Sequence, residues 1–262
     1  MNLSISNIGW HAELDKQVYQ CMKQNGFSGL EIAPTRVFPD APYDKAQAAA
    51  AWAEQLKNAY GFTIPSIQSI WYGRQERLFG SPQDRETLVT YTKKAIDFAA
   101  AIGCRNLVFG CPRNRLIPEH ADPETAIGFF REIGHYAEQR GTVIGMEANP
   151  PMYHTNYIND TPAALDLIEK VHSAGFRLNL DIGTMIVNHE SLDCLDGKVS
   201  YINHVHISEP GLKPIQKRTL HTALTDMLKR ENYRGFVSIE MGCMDDIRFI
   251  DRCMNYLKEI TA

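Results

Sequence analysis

Residues 161–182 read TPAALDLIEKVHSAGFRLNLDI, a helix-like segment followed directly by a strand-like one. The Thr-Pro pair at the start suits the first positions of a helix, and the apolar residues after it recur at helical spacing. Gly175 then ends the helix, and Phe176 begins an alternating apolar run that reaches Asp181. The segment therefore predicts an αβ unit whose strand ends at a carboxylate.

The same unit recurs along the chain, because a glycine followed by an apolar run closes several helix-like segments. We predict eight strands, at residues 3–8, 29–33, 63–70, 106–110, 143–148, 177–182, 201–208 and 236–241. Eight βα units with no linker between them predict an α/β fold in which residues 1–262 form a single (β/α)8 barrel domain, a TIM barrel. A doubly wound open sheet is the alternative, but no G-x-G-x-x-G follows the first strand.

Composition excludes several classes of protein. Lys and Arg total 27 against 31 for Asp and Glu, so the net charge of -4 offers no basic face for nucleic acid. No leader-like pattern opens the sequence, and no apolar run approaches the roughly 18 residues of a membrane span. The six cysteines are scattered without a C-x-x-C pair, as expected for reduced thiols. We expect a cytoplasmic protein that binds neither nucleic acid nor membrane.

Four consecutive predicted strands each end with a potential metal ligand. These residues are Glu147, Asp181, His206 and Glu240. In a barrel, the carboxyl ends of the strands form the active-site face. Three carboxylates and an imidazole in apolar surroundings would repel one another, and a divalent cation would compensate them. The set suits Mn2+, Mg2+ or Co2+ better than a structural zinc. For any one of them taken alone, a buried side chain paired with a neighbour is the alternative.

A second polar layer is predicted beneath these residues. Asn179, His204 and Ser238 each lie two positions before a candidate ligand, and side chains at that spacing face the same way along a strand. His204 is then either a hydrogen-bonding partner of the metal site, a proton carrier or an interior histidine with satisfied hydrogen bonds.

Several loop residues at the predicted mouth are candidates for substrate binding. They are Trp10, Trp71, Arg113, Arg115, Asn149 and Tyr153, and Glu31 and Tyr72 fall at the same face. Aromatic rings there suit the apolar face of a sugar, and paired arginines suit a phosphate or carboxylate. Packing of the loops and salt bridges between them are the structural alternative for each.

The four strand-end residues, in this order on the fifth to eighth strands, resemble the metal site of the xylose isomerase-like TIM-barrel superfamily. The resemblance is strongest to sugar phosphate isomerases/epimerases and to ketose 3-epimerases of the D-tagatose 3-epimerase type. It implies one Mn2+, or Co2+, Mg2+ or Zn2+, bound by Glu147, Asp181, His206 and Glu240. It also implies that Glu147 and Glu240 are catalytic and move a proton next to a carbonyl through a metal-bound enediolate.

The sequence departs from those epimerases at three positions. Thr184 stands where they usually carry a histidine, Leu212 where they carry an arginine, and Tyr153 where they carry a glutamate. The groups that grip the reacting end of a free ketose are therefore not matched. Lys213, Lys217 or Arg218 could substitute, and solvated loop cations are the alternative.

Other functions stay open at this stage. The same enediolate can expel a hydroxyl group, as in a dehydratase of the inosose or dehydroshikimate kind. A zinc endonuclease of the endonuclease IV type would need more histidine ligands and a basic surface. A sugar-binding barrel without turnover is a further alternative. We expect a small-molecule carbohydrate partner and a possible homo-oligomer.

Overall fold

The computed structural model describes residues 1–262, and its strands form one curled parallel sheet. The strands are β1 (Asn2–Ser6), β2 (Gly29–Glu31), β3 (Leu107–Phe109), β4 (Ile144–Met146), β5 (Phe176–Asp181), β6 (Ile202–Ile207) and β7 (Phe236–Ile239). Their order in the sheet is β2-β1-β7-β6-β5-β4-β3, and every neighbouring pair is parallel. The predicted α/β barrel is confirmed.

The sheet edges, β2 and β3, are joined through residues 63–67, which do not form a regular strand. Ile67 makes isolated bridges to Ile32 on one side and to Leu107 on the other. Pro65 has no N–H group, so a continuous ladder cannot run through it. The predicted strand at 63–70 is therefore wrong as a regular strand, although the segment occupies that strand's place and closes the barrel.

Eight α-helices lie between the strands, and a ninth follows the last strand. They are α1 (Asp15–Gln24), α2 (Pro34–Val37), α3 (Ala46–Tyr60), α4 (Pro82–Ala101), α5 (Glu124–Gln139), α6 (Thr161–Val171), α7 (Ile182–Asn188), α8 (Thr219–Arg230) and α9 (Ile247–Thr261). None of them combines the length and the hydropathy that crossing a membrane requires.

One apolar core fills the space between sheet and helices, and 63 buried residues belong to it. Phe130 on α5 packs against Phe109 on β3 and Phe176 on β5, with both pairs of ring centroids 4.9 Å apart. Gly175 lets α5 approach this strand, because a Cβ there would lie 2.1 Å from the carbonyl oxygen of Gly134. This packing fixes the strands so that the carboxyl ends of β4 to β7 open at one rim.

Candidate active site

The four predicted ligand residues converge at that rim. Glu147 follows β4, Asp181 ends β5, His206 lies on β6 and Glu240 follows β7. One ligand atom from each lies within 4.8 Å of the others. The three carboxylates line a cavity of about 220 Å3, and His206 is fully buried beneath them. The parallel register, which places Asp181 beside His206, produces this convergence.

Amide side chains hold two of the carboxylates in fixed orientations. Asn179 donates to Oε1 of Glu147 at 2.9 Å, and Asn149 donates to Oε2 at 3.2 Å. Gln68 donates to Oε1 of Glu240 at 3.0 Å. Because neutral amides supply these bonds, the bonds orient the carboxylates without neutralising them.

Asp181 is held at the start of helix α7. Its Oδ1 accepts a hydrogen bond from the backbone N–H of Thr184 at 2.6 Å, so the carboxylate caps the helix. The Ser208 hydroxyl donates to its other oxygen, Oδ2. Ser208 also accepts from the N–H of Gly183 at 2.8 Å, which ties the loop after β6 to α7.

His206 points one ring nitrogen at the cluster and the other at a buried carboxylate. Its Nδ1 lies 3.0 Å from Oε1 of Glu147 and 3.2 Å from Oε2 of Glu240. Its Nε2 lies 3.0 Å from Oε2 of Glu31, the last residue of β2, which is fully buried. Since an ionised carboxylate only accepts, Nε2 donates to Glu31. A neutral His206 would therefore present the lone pair of Nδ1 to the cluster.

The surroundings of the site disfavour the ionised forms of Asp181 and Glu240. Burial raises the pKa of Asp181, and the charges of Glu147 and Glu240 raise it further. Burial also raises the pKa of Glu240, although His206 opposes the change. For His206, burial would lower the pKa, but the nearby charges of Glu240 and Glu31 outweigh it and hold the pKa well above its usual range. The cluster therefore has more negative charge than its surroundings stabilise.

This donor set fits a divalent cation. Three carboxylates and one imidazole nitrogen converge, and Glu31 holds the imidazole by the nitrogen that faces away from the cluster. A carboxylate in this position behind a ligand histidine is the common arrangement at metal sites. The same buried group of acids would lose its mutual repulsion once a cation lay among them.

The predicted polar layer lies where the strand alternation places it. Asn179, His204 and Ser238 are all buried below the cluster. The Nε2 atom of His204 lies 3.1 Å from Oε2 of Glu31, and burial lowers the pKa of this histidine. The sequence analysis predicted Glu31 at the barrel mouth but assigned it no part in the metal site. The signal was a carboxylate at the end of an apolar strand, the same pattern that identified the four ligand candidates.

Four of the predicted substrate contacts lie beside a cavity at the mouth. Asn149 and Tyr153 line the cavity with the carboxylates, and the Tyr153 hydroxyl accepts from the N–H of Gly211 at 2.9 Å. Trp71 and Arg113 line a second, adjoining cavity. Trp71 is almost fully buried, so it contributes a wall of that cavity more than an open surface.

The other four predicted substrate contacts line neither cavity. Trp10 is buried, and its ring N–H donates to Asp15 at 2.8 Å. Lys213 is exposed outside both cavities. Arg218 is paired through Nε with Oε1 of Glu209 at 2.8 Å.

Arg115, the fourth, is a buried structural residue. It is fully inaccessible, and its guanidinium donates to the carbonyl oxygen of Glu147 at 2.9 Å and to Oδ1 of Asn149 at 2.8 Å. Burial lowers the pKa of Arg115 to about 10, so the side chain stays charged near neutral pH. It supports the loop that carries Glu147 and does not face the substrate space.

A sequence comparison agrees with this architecture. The family described as xylose isomerase-like TIM barrel matches residues 20–260, nearly the whole chain. The chain belongs to the xylose isomerase-like TIM-barrel family. No curated protein matches it by sequence.

Solved structures share the xylose isomerase-like fold over the full chain. The apo structure of 3-keto-D-glucoside 4-epimerase, YcjR, from E. coli has a TM-score of 0.77 and 17% identity, covering 99% of both chains. D-psicose 3-epimerase from Clostridium cellulolyticum H10, with D-tagatose, also has a TM-score of 0.77, with 16% identity, covering 100% of this chain and 98% of that one. The probable 3-DHS dehydratase AsbF from Bacillus anthracis has a TM-score of 0.66 and 15% identity, covering 100% and 97%.

Three residues of this xylose isomerase-like site escaped the sequence reasoning. Gln68 lies in the irregular segment that closes the barrel and bridges Glu31 and Glu240. Ser208 and Glu209 follow β6 and line the first cavity. Ser208 and Glu209 come directly after the strand that carries His206, so their position at a strand end was an available signal. Nothing in the sequence indicated the bridge made by Gln68.

Proposed function

We propose that this protein is a divalent-metal-dependent isomerase or epimerase that acts on a sugar or a sugar phosphate. The observation that carries the proposal is the convergence of Glu147, Asp181, His206 and Glu240 within 4.8 Å at a cavity in the barrel mouth. Epimerases acting on keto-sugars are among the structures with this fold, which supports the choice of reaction.

The ligand set favours one hard divalent ion. Three carboxylates and one imidazole suit Mn2+ first, with Co2+, Mg2+ or Zn2+ as alternatives. Bound by these residues, such an ion would supply a positive charge that stabilises the negative charge developing on a substrate oxygen as the neighbouring carbon loses its proton.

Glu147 and Glu240 are the proposed proton carriers. They come from different strands, and 12% and 11% of their side-chain surfaces are exposed, at the cavity that both line. The hydrogen bonds from the Asn179 and Gln68 side chains hold one oxygen of each carboxylate in place. The second oxygen of each carboxylate is thereby oriented for proton transfer at a substrate carbon.

The decisive experiment follows solvent deuterium into a ketose. The Mn2+-reconstituted protein is incubated in D2O with a panel of free and phosphorylated ketoses, and proton NMR monitors each hydrogen next to the carbonyl. We expect exchange of one such hydrogen, reduced by about 100-fold or more in Glu147→Gln and in Glu240→Gln. Glu138→Gln, an exposed change on α5, is the matched control and should exchange like the wild type.

The products separate the proposed function from its rivals. Exchange accompanied by a rearranged sugar supports an isomerase or epimerase. A product that has lost water would instead assign the chain to the dehydratases. Binding of a sugar with no exchange on any member of the panel would refute turnover and leave a sugar-binding barrel.

The cellular setting is part of the same proposal. All six cysteines are free thiols in the structure, as expected in a reducing compartment. We place the protein in the cytoplasm, with a small carbohydrate as its partner.

A further inference from the structure

A second cavity adjoins the first at the barrel mouth. It has a volume of about 890 Å3 and lies between residues 69–77 and residues 111–116, with His154 at its border. Ser69, Cys111 and Pro112 line both cavities. The two cavities are therefore neighbours at the barrel mouth, and these three residues lie where they meet.

The two cavities carry opposite charge. The first is lined by acids, among them Glu209, and by no Lys, Arg or His. The second is lined by Arg74, Arg77, Arg113 and His154, and by no Asp or Glu. A local group of three arginines stands out in a chain whose net charge is -4.

Two of these arginines are available to a ligand. Arg74 is paired with Glu76 and lies over the ring of Tyr91 at 4.8 Å. Arg77 and Arg113 are exposed, and neither guanidinium has a hydrogen bond or an ion pair within the protein. Two free guanidinium groups on facing loops are the donors that bind phosphate or carboxylate oxygens in pairs.

The loops that carry them are fixed to each other. Asn114 is buried, and its amide donates to the carbonyl oxygens of Arg74 at 3.1 Å and Glu76 at 2.8 Å. The N–H of Leu78 donates in return to the carbonyl oxygen of Asn114 at 2.8 Å. Because these bonds join the two loops, the backbone that carries the arginines is ordered before a ligand binds, and binding costs less ordering of the chain.

We propose that this second cavity binds an anionic group, a phosphate monoester or a carboxylate, at the end of the substrate remote from the reacting carbon. The substrate is then a hydroxy-carbonyl compound with an anionic tail: its oxygens lie at the acidic cluster and its tail lies at Arg77 and Arg113. This assignment of substrate class rests on the proposed function for the reacting end, while the anion site itself rests on the arginine loops.

Calorimetric binding to the Mn2+-loaded protein tests the anion site with three probes, D-fructose, D-fructose 6-phosphate and D-fructuronate. We expect at least one anionic probe to bind about tenfold or more tightly than D-fructose. Hydrogen bonds between an anion and a guanidinium group contribute a free energy of that size. The double change Arg77→Ala with Arg113→Ala should abolish that difference and leave the affinity for D-fructose within about twofold. The control is Arg105→Ala, an exposed arginine beside the amino end of β3.

Each outcome bears on the anion site separately from the reaction. The probe that gains affinity identifies phosphate or carboxylate as the tail. If neither anionic probe binds more tightly than D-fructose, or if the gain survives in the double variant, the inference is overturned even where deuterium exchange succeeds. If the gain in affinity is lost in the double variant but no ketose exchanges deuterium, the anion site stands and the proposed isomerase function fails.

Discussion

Glu31 determines which ring nitrogen of His206 faces the carboxylate cluster. The carboxylate accepts from Nε2 of His206, and its other oxygen accepts from Gln68 at 3.1 Å. Burial would raise the pKa of Glu31, but the two histidines beside it hold the pKa well below its usual range. Glu31 is therefore ionised, and it keeps a proton on Nε2 of His206, so that a cation at the cluster would take the place of the proton on Nδ1.

Changing Glu31 to Gln should weaken metal binding. The amide keeps the size of the side chain and one acceptor but removes the charge behind the imidazole. We expect the affinity for Mn2+ to fall about 10- to 100-fold, measured by competition with a fluorescent chelator. Glu138→Gln is the control for the same chemical change on the surface. An unchanged affinity would show that Glu31 does not position His206.

Arg113 and Arg115 stand two positions apart and have different roles. Arg113 is exposed in the second cavity, whereas Arg115 is fully buried under the Glu147 loop. Arg115→Met leaves the carbonyl oxygen of Glu147 and the amide of Asn149 without their donor. We expect the free energy of unfolding to fall by about 3 kcal/mol for Arg115→Met and by less than about 0.5 kcal/mol for Arg113→Met, measured by urea denaturation. Equal effects would contradict the assignment.

The same pair shows where sequence reasoning reaches its limit. Both residues lie in one loop after β3, and the sequence offered them together as anion ligands. Strand ends are predictable because alternation fixes which residues face inward. Loop side chains are not, because their direction depends on contacts with distant segments, such as the one from Arg115 to Glu147.

Among the secondary structure elements, the alternation of helix-like and strand-like segments predicted every regular strand, but the third predicted strand is irregular. Residues 63–70 have the apolar composition of a strand, yet Pro65 and the left-handed Ser69, with φ of 55°, interrupt it. The irregular backbone also brings Gln68 into the space between Glu31 and Glu240. Composition alone could not distinguish this segment from a regular strand.

Helices α8 and α9 meet at a buried histidine. Nδ1 of His221, on α8, lies 3.1 Å from the hydroxyl of Tyr256 on α9. The pKa of His221 is lowered to about 4, chiefly by burial; the charge of Glu209 opposes the change and that of Arg218 adds to it. The folded state therefore binds fewer protons than the unfolded chain between pH 6.5 and 4, and stability is lost as the pH falls through that window.

This linkage predicts how a neutral substitution changes acid stability. At pH 7 the imidazole is neutral in both states, so the histidine carries no protonation penalty. By pH 4.5 we expect the wild type to lose about 2 kcal/mol relative to His221→Gln, because only the wild type must keep this group deprotonated to fold. Urea unfolding from pH 7 to 4.5 measures the difference. Parallel stability curves for the two proteins would contradict the burial of a neutral His221.

For the whole molecule, the fold and the metal site follow from one repeated pattern. Each αβ unit is recognisable within about 25 residues, and parallel strands bring their carboxyl ends to one rim, so distant residues such as Glu147 and Glu240 could be predicted to meet. The pairing of an acid-lined cavity with an arginine-lined cavity could not be predicted from the sequence. It depends on the hydrogen bonds by which Asn114 joins the loop after residue 67 to the loop after β3. In the proposed binding mode, the reacting end of the substrate lies at the acidic cluster and its anionic tail lies at the arginines.

The number of metal ions that each chain retains tests the proposed single-metal site. The protein is stripped with a chelator, reconstituted with Mn2+, desalted and analysed for metal and protein content, beside Glu147→Gln, Asp181→Asn and the surface control Glu138→Gln. We predict about one divalent ion per chain for the wild type and the control, and its loss from the two cluster variants. No retained ion in the wild type, or several zinc ions per chain, would contradict a single-metal sugar isomerase or epimerase.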